Sequence, residues 1–175
     1  MAYGNIYLTG FMGAGKSEVG RRLARKLGRE FLDTDELVER RSGRRISEIF
    51  AEFGEERFRE MEHAAVREAS ELSRAVVALG GGAITRERNL KLIRETGVVV
   101  YLKLTPEAIL ERVKDDNTRP LLAGLDNKAK LERIRSLLSK RSEFYNKADL
   151  IIECASRSAD EIADEIASKL EKMGF

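Results

Sequence analysis

The chain has 175 residues, of which 42% are apolar and 35% charged, with 32 Lys and Arg against 30 Asp and Glu. This composition excludes a disordered or low-complexity chain, and a net charge of +2 gives no reason to expect nucleic acid or an acidic membrane as a partner. One cysteine, Cys154, excludes an internal disulfide and a cysteine-based zinc cluster. The length fits one domain, taken as residues 1–175. No apolar run approaches ~18 residues, and no basic region followed by an apolar core opens the chain. A cytoplasmic protein without membrane span or signal peptide is expected.

Ile6 to Thr9 is an apolar run of strand length, and a glycine-rich turn follows it. Segment 17–28 then sets Val19, Leu23 and Leu27 at i, i+4 and i+8, the stripe of a helix packed on a sheet, with Gly28 as its C-cap. Glu30 to Leu32 predicts a second strand, and 34–42 a helix. Segment 55–72 is rich in Glu and Arg but places Phe58, Met61, Ala65 and Ala69 on one side. Val76 to Leu79 and Val98 to Leu104 predict the third and fourth strands. Thr105-Pro106 reads as a helix start, a capping hydroxyl followed by proline in the first turn. A polar, turn-rich stretch runs from Lys114 to Asp126, either disordered or a functional lid. Leu150 to Ile152 is the fifth strand, and Ser158 with Glu161 forms the capping box of a last helix. Apolar strands alternating with amphipathic helices predict an α/β fold: a parallel sheet with helices on both faces.

Residues 10–17, GFMGAGKS, fit the phosphate-binding loop G-x-x-x-x-G-K-[ST]. Gly13, Ala14 and Gly15 let successive N–H groups turn toward phosphate oxygens, and the following helix adds its positive end. Lys16 is suited to the β- and γ-phosphates and Ser17 to Mg²⁺. Glu18 stands where a second hydroxyl residue is usual, and its carboxylate would oppose the α-phosphate unless it points away. The loop indicates a nucleoside triphosphate, not a reaction.

Other chemistry-bearing residues fall at strand ends, where open α/β sheets place their ligands. Asp33 and Asp35 follow the second strand; they suit Mg²⁺ and an acceptor hydroxyl, although one of them can serve as a helix N-cap. Gly80, Gly81 and Gly82 follow the third strand and suit the close approach of a ligand, or simply a turn. Arg59 belongs either to a solvated ion-pair face or, turned to the crevice, to a substrate carboxylate. Arg112 and Arg119 flank or occupy the polar stretch, and a cation there can close over phosphates. Arg141 lies late in a helical segment, where it can equally serve the helix dipole. His63 reads as a surface residue and Cys154 as an apolar filler.

Taken together, GFMGAGKS at 10–17, FLDTD at 31–35, GEERFREME at 54–62, LGGGA at 79–83, RPLL at 119–122 and KRSEFY at 140–145 resemble the shikimate kinases over nearly the whole chain. The resemblance implies a nucleoside-monophosphate-kinase-like P-loop fold with strand order 2-3-1-4-5. It implies transfer of phosphate from ATP to the 3-hydroxyl of shikimate with Mg²⁺, a step of chorismate and aromatic amino acid biosynthesis; a monomer is expected. It gives Asp35 as the acceptor-orienting base, with Lys16 and Arg119 completing the catalytic set. It gives Arg59, Gly81, Gly82 and Arg141 to shikimate, and Phe50 and Phe58 to its ring. Ser17 and Asp33 fall to the metal, and Gly13 to Glu18, Arg112, Arg119 and Arg157 to ATP. The substrate region spans about 34–62 and the lid about 112–124. Two rival readings stay open on the residues: another small-molecule kinase of this fold, such as a gluconate or nucleoside-monophosphate kinase, and a nucleotide-binding regulatory module without turnover.

Overall fold

The computed structural model describes residues 4–175, so residues 1–3 of the expected domain lie outside the described residues. Five strands form one sheet, β1 (Asn5–Thr9), β2 (Glu30–Asp33), β3 (Ala75–Ala78), β4 (Gly97–Lys103) and β5 (Leu150–Glu153). Their order is β2-β3-β1-β4-β5 and every pair is parallel, as expected. The central strand β1 is buried along its whole length.

Alternation along β1 sorts the core into two layers. Ile6 and Leu8 face α1 (Lys16–Leu27), α5 (Pro106–Val113) and α7 (Ala159–Lys172) through Val19, Leu23, Ile109 and Ile166. Tyr7 faces the other way, toward Val66 and Ala69 of α3 (Ile46–Glu71) and Ile93 of α4 (Glu87–Thr96). Each such aliphatic side chain, fully buried, contributes about 1.5–3 kcal/mol. The long helix α6 (Asn127–Tyr145) gives Ile134 to the first layer and Tyr145 to the second. A third cluster joins α2 (Thr34–Ser42) to α3 through Leu37, Ile49, Phe58 and Ala65.

Local signals in the sequence are realised. Gly28 ends α1 at φ 61°. Thr105 accepts from the Ala108 N–H at 3.2 Å, with Pro106 in the first turn of α5. Ser158 and Glu161 form their reciprocal caps. A long-range cap is added by buried Asn5, whose Nδ2 donates to the carbonyls of Ala69 and Leu72 at 3.0 and 2.9 Å. Its Oδ1 accepts from the Ala75 N–H. It thereby satisfies carbonyls left open at the end of α3 and ties them to the sheet.

Two expectations are corrected. The helix expected over 55–72 is only the second part of α3. Residues 46–53 are also helical, and Gly54, at φ 81°, breaks the two apart. His63 is half-buried rather than superficial, and its Nδ1 lies 2.7 Å from Asn89 Oδ1. Cys154 is fully buried, as expected of a filler. Among the described residues, no helix is long and apolar enough to cross a membrane.

Candidate active site

The C-terminal ends of β1, β2 and β3 open on one cavity of about 360 Å³. Asp35, Arg59, Glu62, Gly80, Gly81, Gly82, Arg119 and Arg141 line it, with Met12, Phe50 and Phe58 as apolar walls.

The loop after β1 adopts the curl its glycines permit. Gly13 and Gly15 sit at φ 77° and 84°. Gly10 lies so near β4 that a Cβ would fall 2.7 Å from the Leu102 carbonyl oxygen. Lys16 Nζ donates to the carbonyls of Gly10 and Phe11 at 2.8 and 3.0 Å. Burial lowers its pKa to about 8, against the opposing pull of Asp35 and Asp33. The Glu18 carboxylate points away and pairs with Arg22 at 3.1 Å on the exposed face of α1. Of Glu18, only the main chain stays available to the loop.

Asp33 performs both tasks the sequence offered. Its Oδ1 caps α2, accepting from the N–H groups of Asp35 and Glu36 at 2.9 and 3.2 Å. Its Oδ2 accepts from the Ser17 hydroxyl. Asp35 is half-buried, but its Oδ1 is shut off from solvent and has no hydrogen-bond partner among the described residues. Burial, then the carboxylates of Asp33 and Glu62, push its pKa up to about 7; Lys16 and Arg119 pull it back. An ordinary aspartate pKa is near 3.9, so the fold makes this group a much better proton acceptor than sequence alone implies.

Arg59 is 7% exposed and carries ion pairs on both sides, to Glu62 at 2.9 Å and Glu55 at 3.1 Å. Burial works against its charge, but the pairing outweighs burial and the pKa rises. Arg141 is 8% exposed and, among the described residues, makes no salt bridge. Its guanidinium lies 5.3 Å over the Phe11 ring. A buried cation without a carboxylate leaves its charge to a ligand.

Arg119 donates from Nε to Asp116 at 2.8 Å and lines the cavity from the polar segment. That segment is anchored to the core by buried Leu122. Arg112 donates to the Gly13 carbonyl at 3.0 Å, on the outer rim of the loop. Arg157 is committed to the β5–α7 turn, donating to the carbonyls of Glu153 and Glu161 and pairing with Glu165.

Glu62 escaped the reading of the sequence, and Gly80 was read only as one of three glycines suited to a close approach. A Cβ on Gly80 would meet Asp35 Oδ1 and Glu62 Oε1, both at 2.7 Å. A signal for Glu62 existed. It lies on the stripe Phe58, Ala65, Ala69, and a charge on a buried stripe is informative where a charge on a solvated face is not.

A parallel sheet ordered 2-3-1-4-5, a phosphate-binding loop after its central strand and a hydroxyl–carboxylate pair beside the lysine define a small-molecule kinase of the P-loop class. Within that class the family described as "Shikimate kinase" matches residues 12–171. A shikimate kinase of Thermodesulfovibrio yellowstonii is 41% identical over 169 residues, 97% of this chain and 96% of the relative. One from Moorella thermoacetica is 46% identical over 168 residues, 96% and 95% of the two chains. The solved shikimate kinase from Acinetobacter baumannii in complex with shikimate superposes with a TM-score of 0.92 at 40% identity, covering 97% of this chain and 94% of that one. The chain belongs to the shikimate kinase family and is a kinase.

Proposed function

We propose that the chain transfers the γ-phosphoryl group of ATP to the 3-hydroxyl of shikimate, giving shikimate 3-phosphate and ADP. The observation that carries this is Asp35 Oδ1: buried, without a hydrogen-bond partner among the described residues, and facing the same cavity as Arg141, a buried arginine with no salt bridge among them. Such a pair complements a small acceptor bearing a hydroxyl at one end and a carboxylate at the other.

Arg141 and Arg59 hold the acceptor carboxylate, and the Gly81–Gly82 turn lets the ring approach the main chain. Phe50 and Phe58, 4.8 Å apart, pack beside that ring. Region 34–62 is thus the acceptor side of the site and the segment within about 112–124 its lid. Asp35 orients the hydroxyl in line with the γ-phosphorus. As the new O–P bond forms and the bond to the β,γ-bridging oxygen breaks, the electron pair leaves with ADP and the hydroxyl proton passes to Asp35. Because the transition state is loose, the proton moves late, and orientation is the larger task. Lys16 and Arg119 neutralise the γ-phosphoryl oxygens. Closure of the lid keeps water from competing as acceptor.

Among the described residues no cluster of three or more His, Cys, Asp or Glu forms a metal cage. The donor set fits an ion that arrives with the nucleotide: Ser17 offers a hydroxyl and Asp33 a neighbouring carboxylate for its waters. Mg²⁺ held there would supply positive charge to the nucleotide's phosphates. Arg112, on the rim of the phosphate loop, is the candidate platform for adenine, and Arg157 would have to leave its present partners to join it.

ADP release from ATP and Mg²⁺, measured with and without shikimate, tests the proposal. Release that requires shikimate is expected. Release only with gluconate or a nucleoside monophosphate would replace the acceptor, and ATP binding without turnover on any acceptor would favour a regulatory module.

A further inference from the structure

Tyr145 ends α6 one helical turn beyond Arg141, on the same face of the helix. Its ring is fully buried and stacks on Tyr101 at 4.8 Å between centroids, with 20° between planes. That packing would be equally well served by phenylalanine. The hydroxyl, however, donates to the Gly81 carbonyl at 2.6 Å, across 64 residues of sequence. It reaches one of the three glycines beside which the acceptor is expected to lie.

The geometry at Gly81 is crowded. A Cβ there would sit 3.4 Å from Arg141 Nη1, 3.4 Å from the Gly10 carbonyl oxygen and 3.5 Å from the Met12 nitrogen. Gly81 is thus wedged between the phosphate loop and the buried cation. A trans peptide points its C=O and its N–H to opposite sides. Fixing the Gly81 carbonyl on the α6 side therefore turns the Gly82 N–H away from α6. It also fixes the distance between the glycine turn and Arg141, because Arg141 and Tyr145 ride on one rigid helix. The Arg141 guanidinium acts on the phenol as well, opposing the effect of burial on its ionisation.

We propose that the Tyr145 hydroxyl is a positioning group for the acceptor site: it locks the Gly81–Gly82 turn to the helix that carries Arg141, so that turn and cation present one preformed cradle. Tyr145 is not among the side chains that line the cavity, and it acts through Gly81 and Arg141. The inference rests on the acceptor reading above, since it assumes that this cradle receives the carboxylated substrate.

Tyr145→Phe keeps the stacked ring and removes only the hydroxyl. It is expected to raise both the KM and the calorimetric Kd for shikimate about tenfold, while the KM for ATP changes less than about twofold. Tyr101→Phe, which also loses a buried-layer hydroxyl, is the control and should leave both KM values unchanged. The decisive comparison adds Arg141→Lys. If Tyr145 acts through Arg141, the double variant should be no more than about twofold worse than Arg141→Lys alone. An unchanged shikimate KM in Tyr145→Phe would overturn the proposal. So would equal rises for shikimate and ATP, an equal effect from Tyr101→Phe, or full multiplication of the two single effects. Normal wild-type turnover with an indifferent Tyr145→Phe would leave the acceptor reading standing. A wild-type protein that neither binds nor phosphorylates shikimate would remove both.

Discussion

Asp35 and Glu62 confront one another across Gly80, each with a carboxylate oxygen 2.7 Å from where a Cβ of that glycine would stand. Burial raises the pKa of both carboxylates, and the nearby Glu62 carboxylate adds to the rise at Asp35. Glu62 is tethered by Arg59, which opposes part of the rise that burial causes. Asp35 has no such tether at Oδ1 and is the group left poised to gain a proton. The separation of roles between two acids thus depends on which of them has the arginine.

Gly80→Ala tests that arrangement. The Gly80 backbone lies outside the left-handed region, so the main chain does not oppose alanine. The added methyl collides with both carboxylates at a cost of about 1–3 kcal/mol. We expect kcat/KM for shikimate to fall about tenfold or more, with the KM for ATP nearly unchanged. Steady-state kinetics with each substrate varied in turn checks it, and an equal loss on both substrates would refute the local explanation.

Asp35→Asn should reduce turnover by at least about a hundredfold while ATP still binds. The same variant carries a stability signature. The folded-state pKa, about 7, lies above the ordinary 3.8, so the folded protein binds the extra proton between those values. Stability therefore falls as pH rises through that window, and the loss is complete above about 7. Asparagine cannot lose a proton and escapes this. The Tm of Asp35→Asn minus that of the parent should grow from pH 4.5 to 7.5. A difference independent of pH would contradict the raised pKa.

Glu18→Ala should change the KM for ATP by less than about twofold, because an exposed carboxylate paired with Arg22 is worth little and faces away from the loop. A large improvement in ATP affinity would mean that Glu18 turns inward when nucleotide binds.

Arg119→Ala should lower kcat by about a hundredfold or more and leave the Kd for shikimate in place, since its guanidinium serves the transferring phosphoryl group. Asp116, whose pKa is drawn down to about 2 by Thr118 and by Arg119, stays ionised at every working pH and holds the Nε side. Calorimetry with shikimate alone, beside single-turnover rates, separates the two effects. Weaker shikimate binding with unchanged kcat would place Arg119 on the acceptor instead.

Much of the architecture was legible because it is written in short range. The strand order itself came with the family resemblance, but five apolar runs, the C-cap Gly28, Thr105-Pro106 and the Ser158–Glu161 box each depend on neighbours within four residues. The phosphate loop is legible for the same reason: its glycines, Lys16 and Ser17 are contiguous. The first part of α3 was missed because Gly54 interrupts the period, and half-buried His63 was missed because its partner, Asn89, lies 26 residues away.

What the sequence by itself determined, then, is the P-loop chemistry, the alternation of strands and helices and the candidate residues. Tertiary structure alone decided which candidates meet. Arg59 and Arg141 stand on surface-like, charged helical segments, yet α3 and α6 turn them into one cavity at 7% and 8% exposure. Glu18 and Arg157 are equally charged and point elsewhere. Nor does any local pattern state that Asp35 loses its solvent and faces Glu62. Burial and the approach of charges are properties of packed elements, and the free energy of a buried charge is set by neighbours that sequence separates and folding brings together.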